Sequence, residues 1–160
     1  MNNKYKVLGI NYGHDSSASI GIDEEIIAAC EQERYDLKKH STSFPINAIN
    51  DCLKIAKLKI NDIDEIALSM DFIDLVKKNY IEPALNNKDR LKFLVNDIDR
   101  IKLYVNFESF VRKKLNYSGK IKTYRHHICH LASTYYPSGF RNALLFSNDG
   151  SGEYENGMLG

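Results

Sequence analysis

The chain has 160 residues, a formal net charge of +1, 43% hydrophobic and 27% charged residues. That is room for one ordinary core, with no global field to attract nucleic acid or anionic lipid. Cys30, Cys52 and Cys129 are widely spaced and odd in number, which excludes a disulfide framework and predicts reduced thiols in a cytoplasmic protein. No apolar signal core and no apolar run of membrane-spanning length is present, so no membrane partner is expected.

The elements follow in chain order. Tyr5 to Asn11 is short and apolar, Ser17 to Ile22 alternates, and Glu25 to Cys30 is β-branched and apolar. The pattern predicts an antiparallel meander of three strands. Pro45 suits a first helical turn, and Ile46, Ile49, Cys52, Leu53 and Ala56 fall on one face, so a helix is expected over about 45–57. Ile63 to Met70 reads as another strand. Residues 72–82 read as a helix ending near Pro83. Lys88 to Leu115 keeps helical spacing and predicts one long helix or two broken ones.

Ile121 to Tyr124 then reads as a strand. His127 to Tyr136 reads as a helix stopped by Pro137-Ser138-Gly139. Ala143 to Asn148 reads as a buried strand, Asp149-Gly150-Ser151-Gly152 as a turn, and Tyr154 to Gly160 as the start of a returning strand. That last pair is an unfinished hairpin. It predicts a fragment, or one half of a larger two-lobed protein. An apolar strand left as an open edge also predicts self-association through residues 143–148.

Two stretches carry chemistry. His126 and His130 are four residues apart, so on a helix both rings lie on one face. With Asp149 they make a plausible three-ligand site for a hard or borderline divalent metal. His127 lies about 100° away on a helix and points elsewhere. The competing reading is a surface helix start with ordinary histidines. Asp149-Gly150-Ser151-Gly152 lets backbone N–H groups approach a phosphate, or is an ordinary Asp-Gly turn. Gly13-His14-Asp15-Ser16-Ser17 can hold an anion or donate a proton, or is a polar hairpin turn. Arg34 and Lys39, in the charged stretch Glu31-Gln32-Glu33-Arg34 and Lys38-Lys39-His40, are phosphate clamps or parts of a solvated loop.

In this order these residues carry a resemblance. The run Val7-Leu8-Gly9-Ile10-Asn11, Gly13-His14-Asp15-Ser16-Ser17-Ala18-Ser19, Glu31-Gln32-Glu33-Arg34, Lys38-Lys39-His40 and Phe44-Pro45 opens it. His126-His127-Ile128-Cys129-His130-Leu131-Ala132-Ser133, Tyr135-Tyr136-Pro137-Ser138-Gly139-Phe140 and Asp149-Gly150-Ser151-Gly152 continue it. Together they resemble the N-terminal part of the carbamoyltransferase family, which includes the nodulation-factor, cephamycin and tobramycin carbamoyltransferases.

The resemblance implies an α/β fold, the first lobe of an actin-like/Hsp70-like ATPase (ribonuclease H-like) over residues 1–141, with the first hairpin of the second lobe over 142–160. It implies an enzyme that uses carbamoyl phosphate and ATP, forms a carbamoyl-adenylate, and carbamoylates a hydroxyl of a small-molecule acceptor. His126, His130 and Asp149 would be ligands of iron (Fe2+) or a similar divalent metal. His14 and Lys39 would meet carbamoyl phosphate, with Arg34 nearby, and Gly150, Ser151 and Gly152 would form the phosphate-side loop. One departure is Leu37, where members often carry a basic residue. Two other readings remain in view: a non-catalytic metal and phosphate-binding module, and a truncated remnant that pairs with another chain.

Overall fold

The computed structural model describes residues 4–160. Its architecture is mixed α/β, and the chain divides into two compact units. The first comprises residues up to Ser69 together with Val111–Thr123.

The first unit is built on a five-stranded sheet of order β3-β2-β1-β4-β5. Strands β1 (Lys6–Asn11), β2 (Ser17–Ile22) and β3 (Glu25–Glu31) form the expected antiparallel meander. Strands β4 (Glu65–Leu68) and β5 (Lys120–Thr123) add in parallel, β4 beside β1 and β5 beside β4. Period-two alternation buries Leu8, Ile10, Ala18, Ile20, Ile66 and Leu68. Each of these Leu and Ile side chains contributes about 1.5–3 kcal/mol when fully buried. Gly9 faces Ser19 across β1 and β2, and a Cβ there would stand 2.6 Å from the Ser19 hydroxyl.

Helix α1 (Glu33–Asp36) is one turn long. Helix α2 (Ile46–Ala56) covers β2 and β3 with Ala48, Ile49 and Cys52 buried. The Cys52 thiol donates to the Ala18 carbonyl at 3.4 Å. On β3, Ile26 is 75% exposed, because this edge strand presents that residue away from α2.

The second unit, residues 70–110 and 124–160, begins with a run of short helices. Helix α3 (Phe72–Val76) passes through a π-helical turn (Lys77–Ile81) into α4 (Glu82–Asn86). The expected stop near Pro83 does not occur. Pro83 stands in the first turn of α4, where a missing N–H costs little. The stretch expected as one or two helices over 88–115 is broken twice. A 3-10 turn (Lys88–Arg90) leads into α5 (Leu91–Asn96), α6 (Ile98–Val105) and α7 (Phe107–Leu115). The breaks fall at Asp97 and Asn106. Asp97 accepts a hydrogen bond from the Tyr80 hydroxyl at 2.8 Å, and the Asn106 amide donates to the Lys102 carbonyl at 2.9 Å. Short polar side chains of this kind compete with the helical ladder. Phe72 packs against Tyr104 and Phe107, with ring centroids 4.6 and 4.4 Å away.

Helix α8 (His126–Ser138) starts one residue before the expected position and runs through Pro137. Gly139, at φ 73°, ends it in the left-handed conformation. Strands β6 (Phe146–Asn148) and β7 (Gly157–Leu159) pair as an antiparallel hairpin. The buried strand expected over 143–148 is a correction. Leu144 and Phe146 are 81% and 72% exposed, and in β6 only Ser147 is buried. In a two-stranded ribbon one face is left without a covering layer, and here that face carries the large apolar side chains. Among the described residues no helix is long and apolar enough to cross a membrane.

Candidate metal centre

The second unit brings together the three residues read from spacing. His126 opens α8 and His130 follows one turn later, so both rings leave the same face. Asp149 follows β6 directly. The Nε2 atoms of His126 and His130 are 2.8 Å apart. Oδ2 of Asp149 lies 2.8 Å from the first and 3.2 Å from the second. Ligands around an ion at about 2.1 Å stand roughly 3.0–3.4 Å from one another, so these three atoms already approximate one face of a coordination shell. Two imidazole nitrogens and a carboxylate oxygen form a donor set for iron, zinc or a similar divalent ion. The His126 side chain is 17% exposed and those of His130 and Asp149 are 47% and 42%, which leaves coordination positions open on the solvent side.

Hydrogen bonding from His126, then from the Gly150 N–H, lowers the Asp149 carboxyl to about 2. It is a carboxylate at any pH near neutrality. Burial raises the Cys129 thiol to about 11, so it stays protonated and is a poor ligand beside the pair.

A second layer holds this face. Glu153 is 2% exposed, and one of its oxygens accepts from the backbone N–H groups of both His126 and Asp71, each at 2.9 Å. A carboxylate at the start of a helix also complements its dipole. His127 is 1% exposed and lies between Ser147 Oγ at 3.0 Å and the Glu155 carbonyl at 2.9 Å. A carbonyl oxygen only accepts, so Nε2 of His127 is the donor to Glu155. Gly152 packs on this ring, and a Cβ there would stand 2.9 Å from His127 Cδ2. Arg125 pairs with Glu155 and with the Tyr154 hydroxyl. In the glycine loop, the Gly150 N–H turns onto Asp149 Oδ1, the Gly152 N–H donates to Glu155, and the Ser151 hydroxyl donates to the Gly152 carbonyl.

The remaining candidates lie in the first unit. His14 sits in the turn between β1 and β2, where Gly13 at φ 125° holds a conformation open to glycine. Its Nδ1 is 2.6 Å from Oδ2 of Asp15, and Nδ1 of His40 is 2.8 Å from Oδ1 of the same carboxylate. The two rings stack with centroids 4.8 Å apart. Hydrogen bonding from His40 leads the causes that hold the Asp15 carboxyl below its ordinary range. Lys39 is exposed beside His40. Arg34 is paired, its Nη2 2.8 Å from Glu31. Leu37 is 88% exposed, at φ 55°. The Asp15–His40 pairing has no sequence spacing to announce it. Nor do Glu153 and His127 as supports, beyond their nearness to the ligands.

The chain belongs to the carbamoyltransferase family: residues 6–159 match the family described as Carbamoyltransferase N-terminus. It is similar to an uncharacterized protein of Synechocystis, 31% identical over 160 residues that cover 92% of this chain and 26% of that protein. It is 30% identical to Nodulation protein NolNO of Sinorhizobium fredii over 154 residues, 91% of this chain and 21% of that protein. An uncharacterized 19.2 kDa protein of Rhizobium etli shares 40% identity over 57 residues, 36% of this chain and 33% of that protein. The chain thus spans about a quarter and a fifth of the length of the first two of these relatives.

Proposed function

We propose that this chain is the N-terminal part of an ATP-dependent O-carbamoyltransferase. The enzyme would use carbamoyl phosphate and ATP to form a carbamoyl-adenylate and pass the carbamoyl group to a hydroxyl of a small acceptor. The observation that carries the reading is the convergence of His126, His130 and Asp149 on one point, in a chain that belongs to this family.

His126, His130 and Asp149 would hold the divalent ion, Fe2+ or a similar one. When bound it supplies Lewis acidity toward phosphate or carbamoyl oxygens. Glu153 and His127 keep the two ligand-bearing segments in register. Lys39 supplies a point charge for the phosphate of carbamoyl phosphate, and His14 a proton donor or acceptor beside it. Arg34 would join them only by leaving Glu31. Gly150, Ser151 and Gly152 form the phosphate-side loop. In the actin-like arrangement proposed here, residues 1–141 belong to the first lobe and 142–160 open the second. Exposed Leu144 and Phe146 form the surface through which self-association is proposed. Three free cysteines suit a cytoplasmic location.

The test is pyrophosphate release by the full-length protein given ATP, with and without carbamoyl phosphate. Carbamoyl phosphate-dependent release that His130→Ala abolishes supports the reading. Release that does not depend on carbamoyl phosphate overturns it.

A further inference from the structure

We propose that His14, Asp15 and His40 form a second divalent-cation site, of the zinc, cobalt or nickel class, separate from the centre on α8. Each residue offers one ligand atom, and the three atoms lie within 4.8 Å of one another. Asp15 gives one oxygen to each imidazole, at 2.6 and 2.8 Å, so both Nδ1 edges are gathered on one carboxylate. The stacked rings, tilted by only 20°, keep those edges side by side.

The backbone holds the donors there at a cost. Asp15 at φ 54° and His40 at φ 57° both occupy the left-handed region, which is strained for a non-glycine residue. Hydrogen bonds fix both turns. The Asn11 amide donates to the His14 and Asp15 carbonyls at 3.0 Å, and the His40 N–H donates to Glu33 at 3.0 Å. Buried Ser16 joins the two loops, its N–H donating to the Ser41 carbonyl at 3.0 Å. The main chain is therefore set, and only side-chain torsions need adjust.

Tetrahedral ligands at about 2.0–2.1 Å stand roughly 3.4 Å apart, within reach of small rotations of these side chains. Two imidazoles and one carboxylate favour a borderline ion over calcium or magnesium, which prefer oxygen shells. The side chains are 73%, 49% and 53% exposed, so the ion would keep an open position for water or an anionic oxygen. His14 uses Nδ1 here and retains Nε2. The inference does not depend on the activity proposed above.

The experiment is equilibrium dialysis of the full-length protein against zinc, with metal per chain read by elemental analysis. His40→Ala and Asp15→Asn should each bind one zinc fewer than the wild type, and His130→Ala/His40→Ala two fewer than the wild type. Far-UV circular dichroism checks that each variant folds, and the two first-unit variants guard against the failure of either. Wild-type zinc content in both His40→Ala and Asp15→Asn overturns the inference. If His130→Ala alone keeps the wild-type count while His40→Ala loses one, this site stands and the centre on α8 falls.

Discussion

Among the described residues the donor set of two histidines and one aspartate occurs twice, and the two copies are built in opposite ways. On α8 the spacing of His126 and His130 is imposed by helix geometry, and buried Glu153 and His127 hold this cluster from behind. In the first unit, His14, Asp15 and His40 stand on two loops, and left-handed residues and surface hydrogen bonds bring them together. Preorganisation therefore differs more than chemistry does. The helix-borne cluster has its donor atoms 2.8–3.2 Å apart, and in the loop-borne one the Asp15 oxygens stand 2.6 and 2.8 Å from the two Nδ1 atoms. The helix-borne site, with buried side chains behind it, should bind metal more strongly and depend on residues that never touch the ion.

The largest expected effect is at a helix-borne ligand. His130→Ala should weaken metal at that centre by on the order of 100-fold or more, beyond the 10–100-fold typical of supporting residues. Titration with a metal-competing chelator measures it, and unchanged affinity would remove His130 from the site.

Glu153→Ala comes next and breaks the comparison most directly. It leaves two N–H groups, those of Asp71 and His126, without their acceptor. The cost is about 2–5 kcal/mol of stability by denaturant unfolding, together with a 10–100-fold loss of metal at the α8 centre. Metal bound at His14, Asp15 and His40 should be unaffected. Glu153→Gln retains an acceptor and should recover most of the stability.

Lys39→Met tests the first unit. The apparent constant for carbamoyl phosphate should rise about tenfold or more, since a charge-assisted contact is worth more than 1.4 kcal/mol, one decade. An effect confined to ATP would place Lys39 elsewhere.

Acid should give the smallest effect. The Asp149 carboxyl is depressed from 3.8 to about 2, so its contribution to stability is complete above pH 4 and lost as the pH falls through 2. With a side chain 42% exposed, that contribution is screened to on the order of 1 kcal/mol. Asp149→Asn should flatten this part of the pH–stability curve. Cys129, raised to about 11, should meanwhile alkylate slowly at neutral pH, and Cys129→Ser should keep the α8 metal.

What the sequence made legible follows from periodicity. The meander β1–β3 and helix α2 were readable because their apolar residues recur at strand and helix spacing, and both elements are where they were expected. The convergence of His126, His130 and Asp149 was readable because two of them share a helix and the third closes a strand. The breaks at Asp97 and Asn106 were hidden, because the apolar pattern runs straight through them. Pro83 misled because its place after a π-helical turn makes it a first-turn residue. Leu144 and Phe146 misled because hydrophobicity does not tell whether anything lies against a strand. The Asp15–His40 contact depends on two left-handed residues, and no periodic signal encodes those.

Glu153 has a kinetic consequence as well. The amides of Asp71 and His126, far apart in the chain, donate to a single oxygen atom. Neither can rely on the other segment once that carboxylate swings away. In hydrogen–deuterium exchange the two amides should lose protection in the same opening event, at one rate, marking the start of α3 and the start of α8 as a single cooperative unit.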